Sequence, residues 1–210
     1  MLIPADDIHR VLRQARKAAL ATHSARHPGF PHASWLPLCV AAAGDPLLLL
    51  SQLAEHTQNL QANPQASLLL TADDHLPATE QRRLTLLGSL TPVELEPEEQ
   101  ARYLRLQPDA AQFLALGDFR FYRMQVAHAR LIAGFGRMGW QTGAQAAGLP
   151  WDARQEHAVL AQLDHPAVLG IDPYGLDYDN AGQRSRHEWP HATSEMTSLL
   201  AQARLWCDAH

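Results

Sequence analysis

The stretch Ser51-Gln-Leu-Ala-Glu-His56-Thr57-Gln-Asn59-Leu60, preceded by Leu47-Leu-Leu-Leu50, decides how this chain is read. Four consecutive leucines between Pro46 and a polar segment fit a strand buried on both faces. The residues behind them open a short helix over residues 54–63. Asn63-Pro64 stops it, because a residue before proline is pushed out of the helical region. The first backbone N–H groups of such a helix have no intrahelical partner. Ser51, His56 and Thr57 add side-chain donors around them, so the junction reads as a phosphate cradle. Helix capping by Ser51 or Thr57, with His56 exposed, accounts for the same residues.

Working outward, Ile8, Val11, Leu12 and Ala15 share one face of a helix expected over residues 5–17, and residues 18–23 form a short apolar strand. A Pro/Gly turn follows. Residues 32–43 read as one strand that hairpins onto residues 47–51. Further strands are expected at 66–72 and 83–94, the latter bulged at Gly88. The polar segment 73–81 is a loop. Helices are expected at 97–107 and 109–116, and one or two strands within 119–135. Glycines crowd residues 134–150, whose second half reads as a linker. Beyond it come a helix at 152–163, a strand near 168–171, a polar hairpin ending at Trp189 and a last helix from Thr193 or Ser194. Strands that cluster before residue 135 with few helices between them are not a parallel βαβ alternation. They predict an α+β protein: an antiparallel barrel with peripheral helices over residues 1–145, and a small α/β domain over 150–210.

The 210 residues carry 46% hydrophobic and 19% charged side chains, which excludes a disordered chain. The net charge is -5 and Lys17 is the only lysine, a poor balance for binding a phosphate backbone, so no nucleic acid partner is expected. No apolar run approaches the ~20 residues of a membrane span. The N-terminus carries no secretion signal, and Cys39 and Cys207 form no framework, so a reduced, cytoplasmic protein is expected.

Twelve histidines fall in no zinc-type spacing, and no metal site is predicted. No Gly-x-Ser-x-Gly elbow, Walker motif or Gly-x-Gly-x-x-Gly is present. Gly134-Phe-Gly136 is a two-glycine fragment that fits a strand bend.

Several segments together resemble the pyridoxamine 5'-phosphate oxidase-like FMN-binding split-barrel superfamily. They are Gly29-Phe-Pro-His-Ala-Ser34-Trp-Leu-Pro37, the Leu47–Leu60 stretch with its His-Thr-x-Asn, and Asn63-Pro64-Gln-Ala-Ser67. Gly117-Asp118-Phe119-Arg-Phe-Tyr122-Arg, Leu131-Ile-Ala-Gly134-Phe135-Gly136-Arg137 and the tail Gly170-Ile-Asp172-Pro-Tyr-Gly175-Leu-Asp177 are closest to its haem-utilisation branch of the HugZ and HutZ type. The resemblance implies a six-stranded antiparallel split barrel, a small C-terminal domain, and a homodimer with FMN in a groove at the dimer interface. Carried onto this chain, the cofactor-binding residues are Ser34, Ser51, His56, Thr57 and Arg83, with Arg137 and Trp140 from a second subunit. Ser34 and Cys39 stand where pyridoxamine phosphate oxidases place an Arg and a Lys, and their Arg-Leu-His-Asp-Arg ending is absent. That vitamin-B6 activity is therefore not expected.

Two cofactors and one cofactor-free reading follow. As a flavoprotein, the chain is an oxidoreductase whose FMN transfers the electrons. FMN is expected over FAD or NAD, since nothing here holds a pyrophosphate. On the haem branch, the same barrel is a haem-binding or haem-degrading protein. An axial histidine would then come from His157, His165 or His187, oriented by the Asp118 carboxylate. A non-catalytic binding module without cofactor is the third.

Overall fold

The computed structural model describes residues 3–72, 76–77, 80–134 and 137–210. Part of the expected 73–81 loop, and Phe135 and Gly136 of the two-glycine fragment, lie outside the described residues. The chain order is α1 (Ala5–Gln14), β1 (Lys17–His23), β2 (Pro31–Pro37), β3 (Cys39–Val40), β4 (Pro46–Ser51), α2 (Glu55–Ala62), β5 (Gln65–Thr71), β6 (Arg83–Pro92), α3 (Pro97–Leu106), α4 (Ala110–Ala115), β7 (Phe119–Ile132), β8 (Met138–Thr142), α5 (Ala153–Leu163), β9 (Val168–Asp172), β10 (Gly175–Asn180), β11 (Gln183–Glu188) and α6 (Met196–Ala209).

The expected α+β architecture is present. A curled antiparallel sheet runs in the order β2-β1-β5-β6-β7-β4-β3, with β8 added on β7. It holds eight strands rather than six, and the two extra ones are short. Along one edge β7 changes partner: residues 119–123 pair with β4, and residues 128–132 pair with β8. Its other edge stays on β6 throughout. This fork is where the barrel splits.

The strand expected over 32–43 is two strands. β2 pairs with β1 as far as Lys17↔Pro37, and Cys39 and Val40 then cross to β4. At the corner, the Leu38 N–H turns back to the Arg16 carbonyl at 2.8 Å. The main partner of β4 is therefore β7, not the preceding strand. α1 ends three residues earlier than its apolar period suggests. The Arg16 guanidinium donates to the carbonyls of Arg13 at 2.9 Å and Gln14 at 2.6 Å, closing the helix so that Lys17 can open β1. β8 lies in the first half of the glycine-rich segment 134–150, ahead of the part read as a linker; its one buried side chain is Gln141, so it shows no apolar alternation.

The bulge expected at Gly88 is present. The β6–β7 register shifts between Leu87↔His128 and Gly88↔Val126, leaving Ala127 unpaired. A Cβ on Gly88 would stand 2.1 Å from the Gln125 carbonyl oxygen, so only glycine fits.

Inside the curl, Val11 and Leu12 of α1 pack with Leu20, Leu50, Leu68, Leu84, Met124 and Leu131. A second cluster gathers Trp151, Val159, Ile171, Leu176, Trp189, Leu199 and Trp206 around the sheet β11-β10-β9. Ion pairs join the two. Arg13 Nη1 lies 3.1 Å from Asp172 Oδ2, and Arg102 Nε lies 2.8 Å from Glu156 Oε2, all four side chains being buried. Arg186 bridges Asp172 and Asp177 at 2.8 and 2.9 Å. Burial alone would raise both aspartates, but the surrounding arginines outweigh it and hold both carboxyls below the usual range.

Candidate functional site

At the β4–α2 junction the hydroxyls expected to meet a phosphate are committed to the protein. Ser51 Oγ donates to Asp118 Oδ2 at 2.6 Å and accepts from the Leu53 N–H at 3.1 Å. Thr57, fully buried, donates to the Ser51 carbonyl at 2.7 Å. The Asn59 side chain accepts from the Ala25 N–H at 2.8 Å and donates to Thr22 Oγ1 at 3.0 Å. The His-Thr-x-Asn motif thus ties α2 to the strand before it and to β1. It is not a side-chain cap either, since the N-cap is Ala54.

Ser34 and His56 do meet, with Oγ and Nδ1 3.2 Å apart. Burial first, and His32 second, push the His56 imidazole below its ordinary value, toward the neutral form. A neutral imidazole is a weaker phosphate partner than a charged one. Within the protein, Ser51 and Thr57 lock this strand-to-helix turn, and Ser34 reaches it through His56. Asp118, expected to orient a haem-ligating histidine, instead accepts the Ser51 hydroxyl.

The other expected residues stand apart from that turn. Arg137 Nη2 pairs with Asp7 of α1 at 3.1 Å. Arg83 and Trp140 belong to the outer face of the curled sheet, because strand side chains alternate between faces and Leu84 and Leu131 point inward. The pairing registers set one row across that face: Trp35, Ala19, Leu69, Thr85, Arg130 and Trp140. Trp35 is 62% exposed and Trp140 52% exposed, with the Arg130 guanidinium 5.5 Å from the Trp140 ring centre.

The next row is Ala33, Ala21, Ser67, Leu87, His128 and Thr142. Its small side chains, together with the bulge at Gly88, leave a trough of about 470 Å³ walled by His23 and His128. Neither histidine was assigned a role from the sequence. The signal was present as pleat parity: each lies on the same face as an exposed tryptophan, His128 two residues from Trp140 across the β7–β8 pairing and His23 four from Trp35 across the β1–β2 pairing.

In the C-terminal part, His157 is exposed on α5. His165 sits edge-on to Trp206 at 6.1 Å, and His187 edge-on to Trp189 at 5.3 Å. Among the described residues, no group of three or more His, Cys, Asp or Glu side chains is placed to hold a metal ion. No described helix is long and apolar enough to cross a membrane.

With this geometry in view, comparisons with known proteins agree with the haem branch. The family described as CREG, beta-barrel matches residues 5–144. Over 138 residues the chain is 34% identical to the chloroplastic haem oxygenase HOZ of Arabidopsis thaliana, covering 63% of this chain and 41% of HOZ. The chain thus spans less than half the length of that relative. Over 137 residues it is 30% identical to the haem oxygenase HutZ of Vibrio cholerae, covering 60% of this chain and 74% of HutZ. The solved structure of a haem binding protein from Mycobacterium smegmatis superposes with a TM-score of 0.65 at 21% identity, over 100% of both chains, and shows the fold alone.

Proposed function

This chain belongs to the CREG β-barrel family, and from that premise we propose that it binds haem against the outer face of its sheet. The observation that carries the reading is the trough at the Gly88 bulge, with His128 on its wall and Trp35, Leu69 and Trp140 on the same exposed face. The names of two relatives at 34% and 30% identity support haem over FMN as the ligand class.

The residues fit the group. A flat apolar macrocycle needs a flat apolar floor, which Ala21, Leu87 and Ala127 supply. Its iron needs an imidazole, and the trough presents His128. Its carboxylates need cations, and Arg130 lies on the same face, two residues along the strand from His128. When bound, haem supplies the redox chemistry of its iron. The chain's own part is to orient the macrocycle, present one imidazole and hold the carboxylates. One sheet face covers only one side of a planar ligand. A second copy of the chain, packed on the same face as a homodimer, would cover the other and bury the exposed tryptophans.

Haem titration tests this. The expected result is a Soret band on addition to the apoprotein. His128→Ala should weaken binding at least tenfold, while His157→Ala, His165→Ala and His187→Ala leave it unchanged. No Soret shift for the unaltered chain would overturn the reading, and loss in one of the last three variants would move the ligand to the C-terminal part. With ascorbate as reductant, decay of the Soret band with iron release would support a haem-degrading activity like that named for HOZ and HutZ.

A further inference from the structure

His9 is the one histidine of α1, and nothing described above uses it. It is 5% exposed. Its Nε2 lies 2.8 Å from the Ala146 carbonyl oxygen. A carbonyl only accepts, so Nε2 carries the proton and donates. Burial, with Arg13 next, lowers the imidazole to about 4, so the ring is neutral near pH 7. A neutral ring protonated on Nε2 has a bare lone pair on Nδ1. That nitrogen is buried and has no hydrogen-bond partner. An unpaired buried acceptor costs about 1–3 kcal/mol, so a native fold that keeps one calls for an explanation.

The ring is also held still. The Tyr174 ring stacks on it with centres 5.2 Å apart and planes 12° from parallel. Two glycines flank it: a Cβ on Gly44 would come within 3.0 Å of the imidazole, and one on Gly148 within 2.7 Å. Both glycines line a cleft of about 490 Å³, between α1, residues 143–152 and strands β6 and β7. His9 lines the same cleft, with Leu12, Val126 and Trp151 as apolar walls. Neither glycine places a side chain between the imidazole and the cleft. The charged residues along the cleft are Asp45 and Asp152, and no Arg or Lys lines it. The cleft shares no lining residue with the trough at His128.

We propose that this cleft is a second small-molecule site. It takes a compact apolar ligand that bears a hydrogen-bond donor and no negative charge, with His9 Nδ1 as the acceptor. The acceptor sets the orientation, the apolar walls take the body, and the two aspartates exclude anions. The volume lies within the range of about 300–1,000 Å³ usual for ligand pockets. The site stands independently of haem binding on the outer face.

Phenol and toluene are suitable probes, being alike in shape and differing in one donor. With the full chain labelled with ¹⁵N-histidine, phenol should shift the His9 Nδ1 resonance from its unprotonated position and saturate. Toluene should bind at least tenfold more weakly and leave Nδ1 in place, and benzoate should not bind. His9→Phe keeps a ring against Tyr174 and should abolish the phenol preference. Ala43→Trp, at an exposed rim position, should block phenol while the free protein keeps its Nδ1 resonance. That variant serves if His9→Phe does not fold. Equal binding of phenol and toluene, or an Nδ1 resonance indifferent to phenol, would overturn the proposal and leave the nitrogen to bound water.

Discussion

Arg13 on the first helix and Asp172 at the end of β9 face each other at 3.1 Å, with side chains 2% and 1% exposed. The pair is out of water and is held from both sides. Arg13 Nη2 donates to the Ala42 carbonyl at 2.9 Å, and Asp172 accepts from Arg186 and from the Tyr174 N–H. Removing one partner strands the other as an uncompensated buried charge. Asp172→Asn or Arg13→Met alone should therefore cost about 3–5 kcal/mol, read as a shift in the urea midpoint. The combined Arg13→Met/Asp172→Asn variant should cost less than the sum of the two.

His9 makes stability pH-dependent in a defined window. Its folded value, about 4, lies below the unfolded 6.5, so the unfolded chain binds the extra proton. The contribution is fully present above pH 6.5 and is lost as pH falls toward 4, amounting to about 3 kcal/mol. Asp172 and Asp177, held low, add acid sensitivity only below the ordinary aspartate range. Urea midpoints between pH 7 and 4 should fall for the unaltered chain and fall less for His9→Phe, in which His56 still titrates in the same direction.

Thr57→Val keeps the shape of a fully buried side chain and deletes the donor to the Ser51 carbonyl. The expected cost is about 1–2 kcal/mol of stability, with haem affinity unchanged. A variant that instead lost ligand at full stability would restore the junction as a binding site.

The outer face should be an interface. Trp35 and Trp140 lie at opposite ends of one cross-strand row, and both are more than half exposed. A stable contact buries roughly 800 Å² per partner, and this row supplies its apolar centre. Sedimentation at micromolar concentration should give a dimer for the unaltered chain and a monomer for Trp35→Ser/Trp140→Ser. A monomeric unaltered chain would contradict it.

Gly88→Ala should be among the most damaging single changes on β6. The added Cβ meets backbone rather than a movable side chain, 2.1 Å from the Gln125 oxygen. Loss of the β6–β7 bulge should appear as a lowered thermal midpoint, and as altered chemical shifts for Ala127 and His128.

Much of the fold was legible because apolar period and turn chemistry agreed. The leucines of β4, the glycine of the bulge and the strand clustering before residue 135 all pointed to an antiparallel barrel, and the family resemblance to its split form. What escaped was written in polar residues. β8 is invisible to periodicity because its inward side chain is Gln141, whose amide N–H donates to the Ile3 carbonyl. The β4–α2 junction is ambiguous in the sequence for a related reason. Ser51, Thr57 and Asn59 are the residue types a phosphate site needs, and equally those a tight strand-to-helix turn needs. The partners present here, Asp118 and Thr22, are those of the turn. The His128 trough arises from register, which brings residues from five strands side by side and leaves no local pattern in any of them.

The barrel's arginines give its C-terminal neighbour a role of another kind. Arg13, Arg16, Arg102 and Arg105 all belong to the first 106 residues, and their carboxylates Asp172, Asp177 and Glu156 all come after residue 150. Charge neutrality inside the fold is therefore completed only by the last third of the chain. Residues 150–210 act as a tethered counter-ion to the barrel. A chain emerging from the ribosome carries Arg13 and Arg16 without these carboxylate partners until β9 and β10 have been made.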